Sequence, residues 1–276
     1  MNGWREAVSL PVIAGPNQAW STDDPKDLLD MRKHLDLEAR LLAAHRECGS
    51  ACLESNGGVI AMTLSGGLDS TLSLAMLRTL TPDARIRTFT IGGSQRHPDL
   101  RFARIAATHF RVAVTALHVP SDSERALARS EIQAMGDPSP TDGGIGVMAL
   151  YRFMADRGLK MVIAGDGIDE LTGGYWKHRA GHSSEETRAA FEHFWSRLAP
   201  DHLEPLERKA ERVGISIVFP YLQRSVVEYV ARIPLAERTS REESKKPLRT
   251  IARRYGVPKE IIARPKRGFC DALCNE

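Results

Sequence analysis

An apolar run, Val59-Ile60-Ala61-Met62-Thr63-Leu64, stops at Ser65-Gly66-Gly67-Leu68-Asp69-Ser70, and a second apolar run, Thr71 to Leu77, follows it. Strand, glycine turn and helix in that order constrain the fold more than any other stretch of this chain. It is the layout of a phosphate cradle. Two glycines remove side chains where the backbone must approach an anion, and their conformational freedom permits the tight turn. The helix start behind them supplies free N–H groups and the positive end of a dipole. Ser65 and Ser70 add hydroxyl donors, and Asp69 is a candidate ligand for a magnesium ion. The plain alternative is a Gly-Gly turn between an ordinary strand and helix. No Lys follows the glycines, so this is not the G-x-x-x-x-G-K-[ST] loop, and it is not G-x-G-x-x-G.

The rest of the chain repeats the alternation. After an amphipathic helix from Leu35 to about Ser55, strands are predicted at Val59–Leu64, Arg85–Ile91, Val112–Val119 and Lys160–Ala164. Helices are predicted between them at Ser70–Leu80, Asp99–Phe110, Ser121–Met135 and Gly143–Arg157. Asp99 reads as N-cap or first-turn acid after Pro98. Strands separated by helices of this size imply an α/β fold with a parallel, doubly wound sheet and right-handed crossovers. After Gly174 the strand pattern stops. Helices are predicted at Glu185–Leu198, Asp201–Val213, Leu222–Arg232 and Glu243–Tyr255, with one short extended piece at Val218–Tyr221. The expected organisation is an arm over 1–34 and one domain over 35–276. Its α/β core covers 35–175 and a C-terminal helical annex covers 176–276.

Composition narrows the class. With 276 residues, 42% of them hydrophobic and 26% charged, the chain is long enough for one large core. A net charge of +3 is too slight to argue for nucleic acid or an acidic membrane. No apolar stretch reaches membrane-spanning length, and Met1-Asn2-Gly3-Trp4-Arg5-Glu6 does not read as a signal peptide. A cytoplasmic location is expected. The cysteines fall in two i, i+4 pairs, Cys48/Cys52 and Cys270/Cys274, which read as reduced structural thiols, with a four-thiolate metal site as the alternative.

Two further runs carry chemistry. Met161-Val162-Ile163-Ala164-Gly165-Asp166-Gly167-Ile168-Asp169-Glu170-Leu171-Thr172-Gly173-Gly174-Tyr175 again ends a buried strand at glycines, with carboxylates where the chain leaves it. Ligands of open α/β sheets bind at the carboxyl ends of strands, so Asp69 and Asp166, Asp169 and Glu170 are expected on one rim. Two carboxylates from different strand ends suit a magnesium clamp over ATP phosphates. The plain reading, acids suiting a helix dipole, fits Glu170 better than Asp69 or Asp169. Arg264-Pro265-Lys266-Arg267-Gly268-Phe269, by itself, is a basic surface turn.

Together the three runs resemble the synthetase domain of the asparagine synthetase B family, within the N-type ATP pyrophosphatases (PP-loop proteins, adenine nucleotide α-hydrolase-like in fold). Ser65–Ser70 matches that family's S-G-G-x-D-S. Ala164–Tyr175 resembles its S-G-E-G-x-D-E-x-F-G-G-Y, and Arg264–Phe269 its R-x-K-x-x-F. Lys246 with Leu248-Arg249 resembles its K-x-x-L-R. The resemblance covers roughly 35–270. It implies an ATP-dependent ligase that makes an acyl-adenylate and pyrophosphate from ATP and a carboxylate, then an amide and AMP on attack by ammonia or an amine. The carboxylate is a small molecule, or one borne on a peptide or carrier. The implied cofactors are ATP and Mg2+. Ser65, Gly66, Gly67 and Ser70 would cradle pyrophosphate, with Asp69 and Asp169 holding magnesium. Lys266 would oppose charge developing at the α-phosphate. Leu64 and the Ile91-Gly92 backbone would flank adenine or ribose, and Gly165 completes the nucleotide-binding set.

Two departures shape the expectation. About 60 residues precede the first loop, which leaves no room for the family's glutaminase domain. Nitrogen would come from free ammonia, a separate glutaminase, or an amine on the substrate. Asp166 stands where asparagine synthetases carry Glu, and a carboxylate there can accept a proton from an attacking amine. A homodimer and a pathway partner are left open, with membrane and nucleic-acid partners disfavoured. Two rival readings remain: a PP-loop tRNA-modifying enzyme of the thiolation type, and a non-catalytic ATP-binding partner subunit.

Overall fold

The structure, a computed structural model, describes residues 3–15, 26–112, 114–181 and 183–266. The chain forms two compact units, neither of them a continuous segment. One comprises 48–164, 205–218 and the residues from 257 onward. The other comprises the residues up to 47, 165–204 and 219–256.

The first unit holds the sheet. Its strands are β1 (Val59–Thr63), β2 (Arg85–Ile91), β3 (Val114–His118), β4 (Met161–Ile163) and β5 (Ser216–Val218). All pairings are parallel, in the order β3-β2-β1-β4-β5. Val59 stands opposite Arg85 and Thr63 opposite Phe89, while β1 meets β4 at Met62 and Ile163. Ile60, Ala61 and Met62 are buried in succession, as a parallel strand covered on both faces requires. The strand order reverses between β1 and β4. In open α/β sheets the carboxyl-end crevice at such a reversal is where ligands bind. The α/β parallel architecture is as the alternation of strands and helices predicts.

Helices of this unit start on local signals. They are α3 (Leu68–Leu80), α4 (Pro98–His109), α5 (Asp122–Ala134) and α6 (Asp142–Ala155). Ser121 and Glu124 form a reciprocal capping box on α5, and Thr141 Oγ1 accepts the Gly144 N–H on α6. On α4 the cap is His97, whose Nδ1 accepts the Asp99 N–H, and Pro98 occupies the first helical position. Asp99 is thus a first-turn acid and not the N-cap.

Asn56 stitches the lower edge of the sheet. Its Oδ1 accepts the N–H groups of Lys160 (2.8 Å) and Met161 (3.0 Å), and its Nδ2 donates to Met161 O (2.8 Å) and Val59 O (3.3 Å). The start of β4 is thereby tied to the start of β1 by a side chain. Cys52 lies beside it, fully buried. Its thiol accepts the Ala61 N–H at 3.3 Å, and burial pushes its pKa up to about 11. Cys48 is also buried, and neither thiol is in a disulfide, as the reading of structural thiols expects. Cys270 and Cys274, half of the four-thiolate alternative, lie outside the described residues.

The second unit is helical. It includes α1 (Gly3–Val8), the first part of α2 (Lys26–Ser55), α7 (Ile168–Thr172) and α8 (Ser184–Leu198). Later come α10 (Arg224–Arg232), α11 (Leu235–Arg238) and α12 (Lys246–Arg254); α9 (Glu204–Arg212) and α13 (Lys259–Ile262) lie in the sheet unit from Pro205 and Val257 onward. Arg238, with no exposed surface, is the central polar residue of the helical unit. The guanidinium donates to Ile233 O (2.7 Å), Val12 O (2.8 Å), Leu171 O (3.1 Å) and Ala231 O (2.8 Å). Trp195 Nε1 donates to Leu10 O at 2.8 Å, and Trp4 packs edge-on against Phe219. Trp4, Leu10 and Val12 are therefore built into this unit.

Two expectations need correction. Strands do not end at Gly174: β5 joins the sheet from within the presumed annex, at 216–218 and not at 218–221. Three residues are too few to display a period of two, and the adjacent helical pattern masks them. The long helix also starts at Lys26, not Leu35, because no Gly or Pro interrupts the sequence after Pro25 until Gly49. Among the described residues no helix is long and apolar enough to cross a membrane.

Candidate functional site

The first motif occupies the carboxyl end of β1. Leu64 is buried and continues the strand, donating its N–H to Phe89 O at 2.8 Å. On the neighbouring strand Ile91 is buried, and the Gly92 N–H donates to His118 O at 3.1 Å. The candidate adenine-flanking residues therefore stand at the ends of two adjacent strands.

Between strand and helix, Gly66 adopts φ +68°, the left-handed region that disfavours other residues. A Cβ there would lie 2.2 Å from the Phe102 carbonyl carbon and 2.4 Å from the Ala103 nitrogen, so the α4 backbone fills the space. Gly67, extended, is the N-cap of α3 and offers no side-chain cap, which leaves the first turn of that helix to another acceptor. Ser65 Oγ lies 3.2 Å from Ser70 Oγ and accepts the Gly67 N–H at 3.3 Å. Asp69 is a half-buried first-turn residue.

The third motif arrives at this loop. Arg264 Nη1 donates to Ser65 O at 2.9 Å, across 199 positions of sequence. Its Nη2 pairs with the Asp99 carboxylate, and its guanidinium stacks 4.4 Å from the Phe102 ring centroid. Lys266, two residues on, is exposed. Arg267, Gly268 and Phe269 of the same run lie outside the described residues.

The second motif lies in the helical unit. Gly165 and Asp166 are half-buried, and Asp166 Oδ1 sits 2.6 Å from His202 Nε2, in the turn Ala199–Leu203. Asp169 and Glu170 are buried in α7. Lys245 Nζ lies 2.5 Å from Asp169 Oδ1, with side chains 5% and 9% exposed. Gly174 is needed beside them, since a Cβ would fall 1.7 Å from Asp169 Oδ1 and 2.6 Å from Lys245 Cε. The Tyr175 hydroxyl donates to Glu170 Oε1 at 2.7 Å. Burial, then the Asp169 charge, raises Glu170 above the ordinary carboxylate range. His178 is buried against Phe191, and desolvation lowers its pKa to about 4.

Leu64, Ser65, Gly66, Gly67, Asp69, Ser70, Ile91 and Gly92 thus share the sheet unit with Lys266, while Gly165, Asp166 and Asp169 belong to the helical unit. Sequence reasoning gave no specific role to three residues. Lys245 had a signal: the K-x-x-L-R spacing begins at Lys245, not Lys246, and Lys246 Nζ instead donates to Ala236 O. His202 had none, being a lone histidine in a predicted helix. Arg264 was in the motif, but its two partners are remote in sequence.

The donor set suits magnesium in kind, because Asp169 and Asp69 offer hard carboxylate oxygens. Among the described residues no group of three or more His, Cys, Asp or Glu could hold a metal alone. At Asp169 a magnesium ion would share the carboxylate with Lys245.

The sequence has relatives among known proteins. The asparagine synthase family model matches residues 50–200 and 181–276. A glutamine-hydrolysing asparagine synthetase of Gallus gallus is 29% identical over 252 residues, covering 85% of this chain and 41% of that protein. Those of Pongo abelii and Homo sapiens are each 28% identical over 234 residues, covering 78% of this chain and 40% of the relative. The chain spans about two fifths of the length of these curated relatives.

Proposed function

This chain belongs to the asparagine synthase family, and we propose that it is an ATP-dependent carbon–nitrogen ligase. A carboxylate oxygen attacks the α-phosphorus of ATP. The α–β bond breaks, pyrophosphate leaves, and an acyl-adenylate remains. Ammonia or an amine then attacks the carbonyl carbon, loses a proton and displaces AMP, giving an amide.

Ser65, Gly66, Gly67 and Ser70 hold the departing pyrophosphate through backbone N–H and hydroxyl donors. Leu64 and the Ile91-Gly92 backbone flank adenine and ribose, and Gly165 completes the nucleotide-binding set. Lys266 opposes the charge that grows at the α-phosphate, where a fixed cation is worth most. Asp69 and Asp169 would hold magnesium, which when bound neutralises phosphate charge and improves the leaving group. Asp166 accepts the proton of the attacking amine, and His202, hydrogen-bonded to it at 2.6 Å, orients that carboxylate.

The observation that carries this reading is the Arg264 to Ser65 bond. Two of three motifs, remote in sequence, meet at one glycine loop on the carboxyl rim of a parallel sheet. The nitrogen source and the acyl group belong to the reading only as classes, ammonia or amine and carboxylate. The test is turnover of Mg-ATP with a panel of carboxylates, each with ammonium or small amines. AMP and pyrophosphate are the expected products. Release of ADP, or no turnover with any member, would sink the proposal.

A further inference from the structure

Arg264 is nearly sealed from solvent, at 7% side-chain exposure, and both terminal nitrogens and the face of its guanidinium are engaged. Asp99 neutralises it, Phe102 one turn later on α4 stacks beneath it, and the remaining Nη1 reaches the backbone of the loop at Ser65 O. With its charge paired to Asp99, it is poorly placed to be a phosphate ligand itself. Its effect falls on the peptide it grips.

A peptide unit is planar and trans, so its C=O and N–H point in opposite directions. The N–H that shares a peptide with Ser65 O belongs to Gly66. Holding the carbonyl on the Arg264 side turns the Gly66 N–H to the other side of the loop. The following N–H, that of Gly67, is engaged by Ser65 Oγ, so what the glycines add to the helix start depends on how Gly66 is aimed. A cation on the carbonyl also polarises the peptide and strengthens its N–H as a donor. The backbone of Phe102 and Ala103, pressed against Gly66, blocks it from swinging back.

We propose that Arg264 is a positioning residue for the anion cradle. It orients the Ser65–Gly66 peptide so that the Gly66 N–H faces bound pyrophosphate, and the same bond tethers Lys266 within about 7 Å of chain from the loop's anchor. This rests on reading Ser65–Ser70 as a pyrophosphate loop. Asp99 serves it in turn, holding the guanidinium in place.

Calorimetric titration of the full chain with Mg-pyrophosphate and, separately, with AMP tests the idea. Loss of one charge-assisted bond in Arg264→Met is expected to weaken pyrophosphate binding about tenfold or more, with AMP affinity changed by no more than about twofold. Arg264→Lys keeps the charge but not the two-point grip, and is expected to recover part of the loss; it replaces the Met variant if that one does not fold. Asp99→Asn should show the same selective loss in weaker form. Unchanged pyrophosphate affinity in Arg264→Met and Arg264→Lys overturns the proposal. So does an equal loss of both ligands accompanied by a fall in melting temperature, which marks a structural brace only. If the unsubstituted protein fails to bind Mg-pyrophosphate, the loop reading itself falls and takes the proposal with it.

Discussion

Lys245 and Asp169 form an ion pair that water scarcely reaches, and its worth lies in what happens when half of it is removed. Two charges taken out of water gain little net stability from each other, but one left alone is severely penalised. Lys245→Met is therefore expected to cost about 3–5 kcal/mol of unfolding free energy in urea titrations, because Asp169 stays buried without its cation. Replacing both residues with apolar ones of similar volume should cost markedly less. Denaturation midpoints that fall equally for the single and double variants would refute this account. The pair also shows where residue-level legibility ends. Asp169 stood out because it sits in a recognisable run beside glycines. Lys245 was missed by one position, since two adjacent lysines fit the spacing pattern to the eye and only one of them turns inward. His202 carried no sequence signal, because a single histidine in a helical pattern is ordinary until its partner's position is known.

Elements were legible in proportion to their length and their punctuation. β1 and β4 combine a run of apolar residues with a glycine stop, at Gly66-Gly67 and Gly165, β2 sets Ile86, Phe89 and Ile91 among polar residues before Gly92-Gly93, and these strands appear where expected. β5 has three residues and no glycine stop after it, and the predicted extended piece at Val218–Tyr221 overlaps it only at Val218. The turn around Arg238 shows a second kind of opacity, since nothing in a Leu-Ala-Glu-Arg helix says that its arginine binds four carbonyls, two of them remote in sequence. That residue seams the N-terminal residues to the ends of α7 and α10 through Val12, Leu171 and Ala231. Arg238→Met keeps the bulk and removes every donor. It is expected to destabilise the helical unit by about 3–5 kcal/mol, the scale of several buried carbonyls left unsatisfied. Limited proteolysis should then cut within the first fifteen residues well before global unfolding, and resistance there equal to the unsubstituted protein would contradict the seam.

At the scale of the whole molecule, two buried histidines contribute to its sensitivity to acid. Desolvation lowers both His45 and His178 to about 4, against an ordinary value of 6.5. Between those values the unfolded chain binds protons that the folded chain refuses, so stability falls as pH drops from about 6.5 towards 4. Each histidine contributes on the order of 2–3 kcal/mol to that loss. Thermal melts across this range should show a steep decline that His178→Phe and His45→Gln each flatten; parallel curves for all three proteins would show that the acid sensitivity originates elsewhere.

The interleaving of the two units has a consequence in time. Synthesis proceeds from the N-terminus, and β1 to β4 leave the ribosome well before β5. The intervening segment, 165–204, belongs to the helical unit, whose own last part ends at 256. Until β5 arrives, β4 presents an unpaired parallel edge, and pairing across so long an excursion is slow compared with local helix formation. Neither unit can complete early and wait for the other. The nascent chain must pass through a stage with both partly made, and the sheet unit closes only once residues beyond 256 have emerged. Arg264, among the last described residues to emerge, fastens a glycine loop made 199 positions earlier.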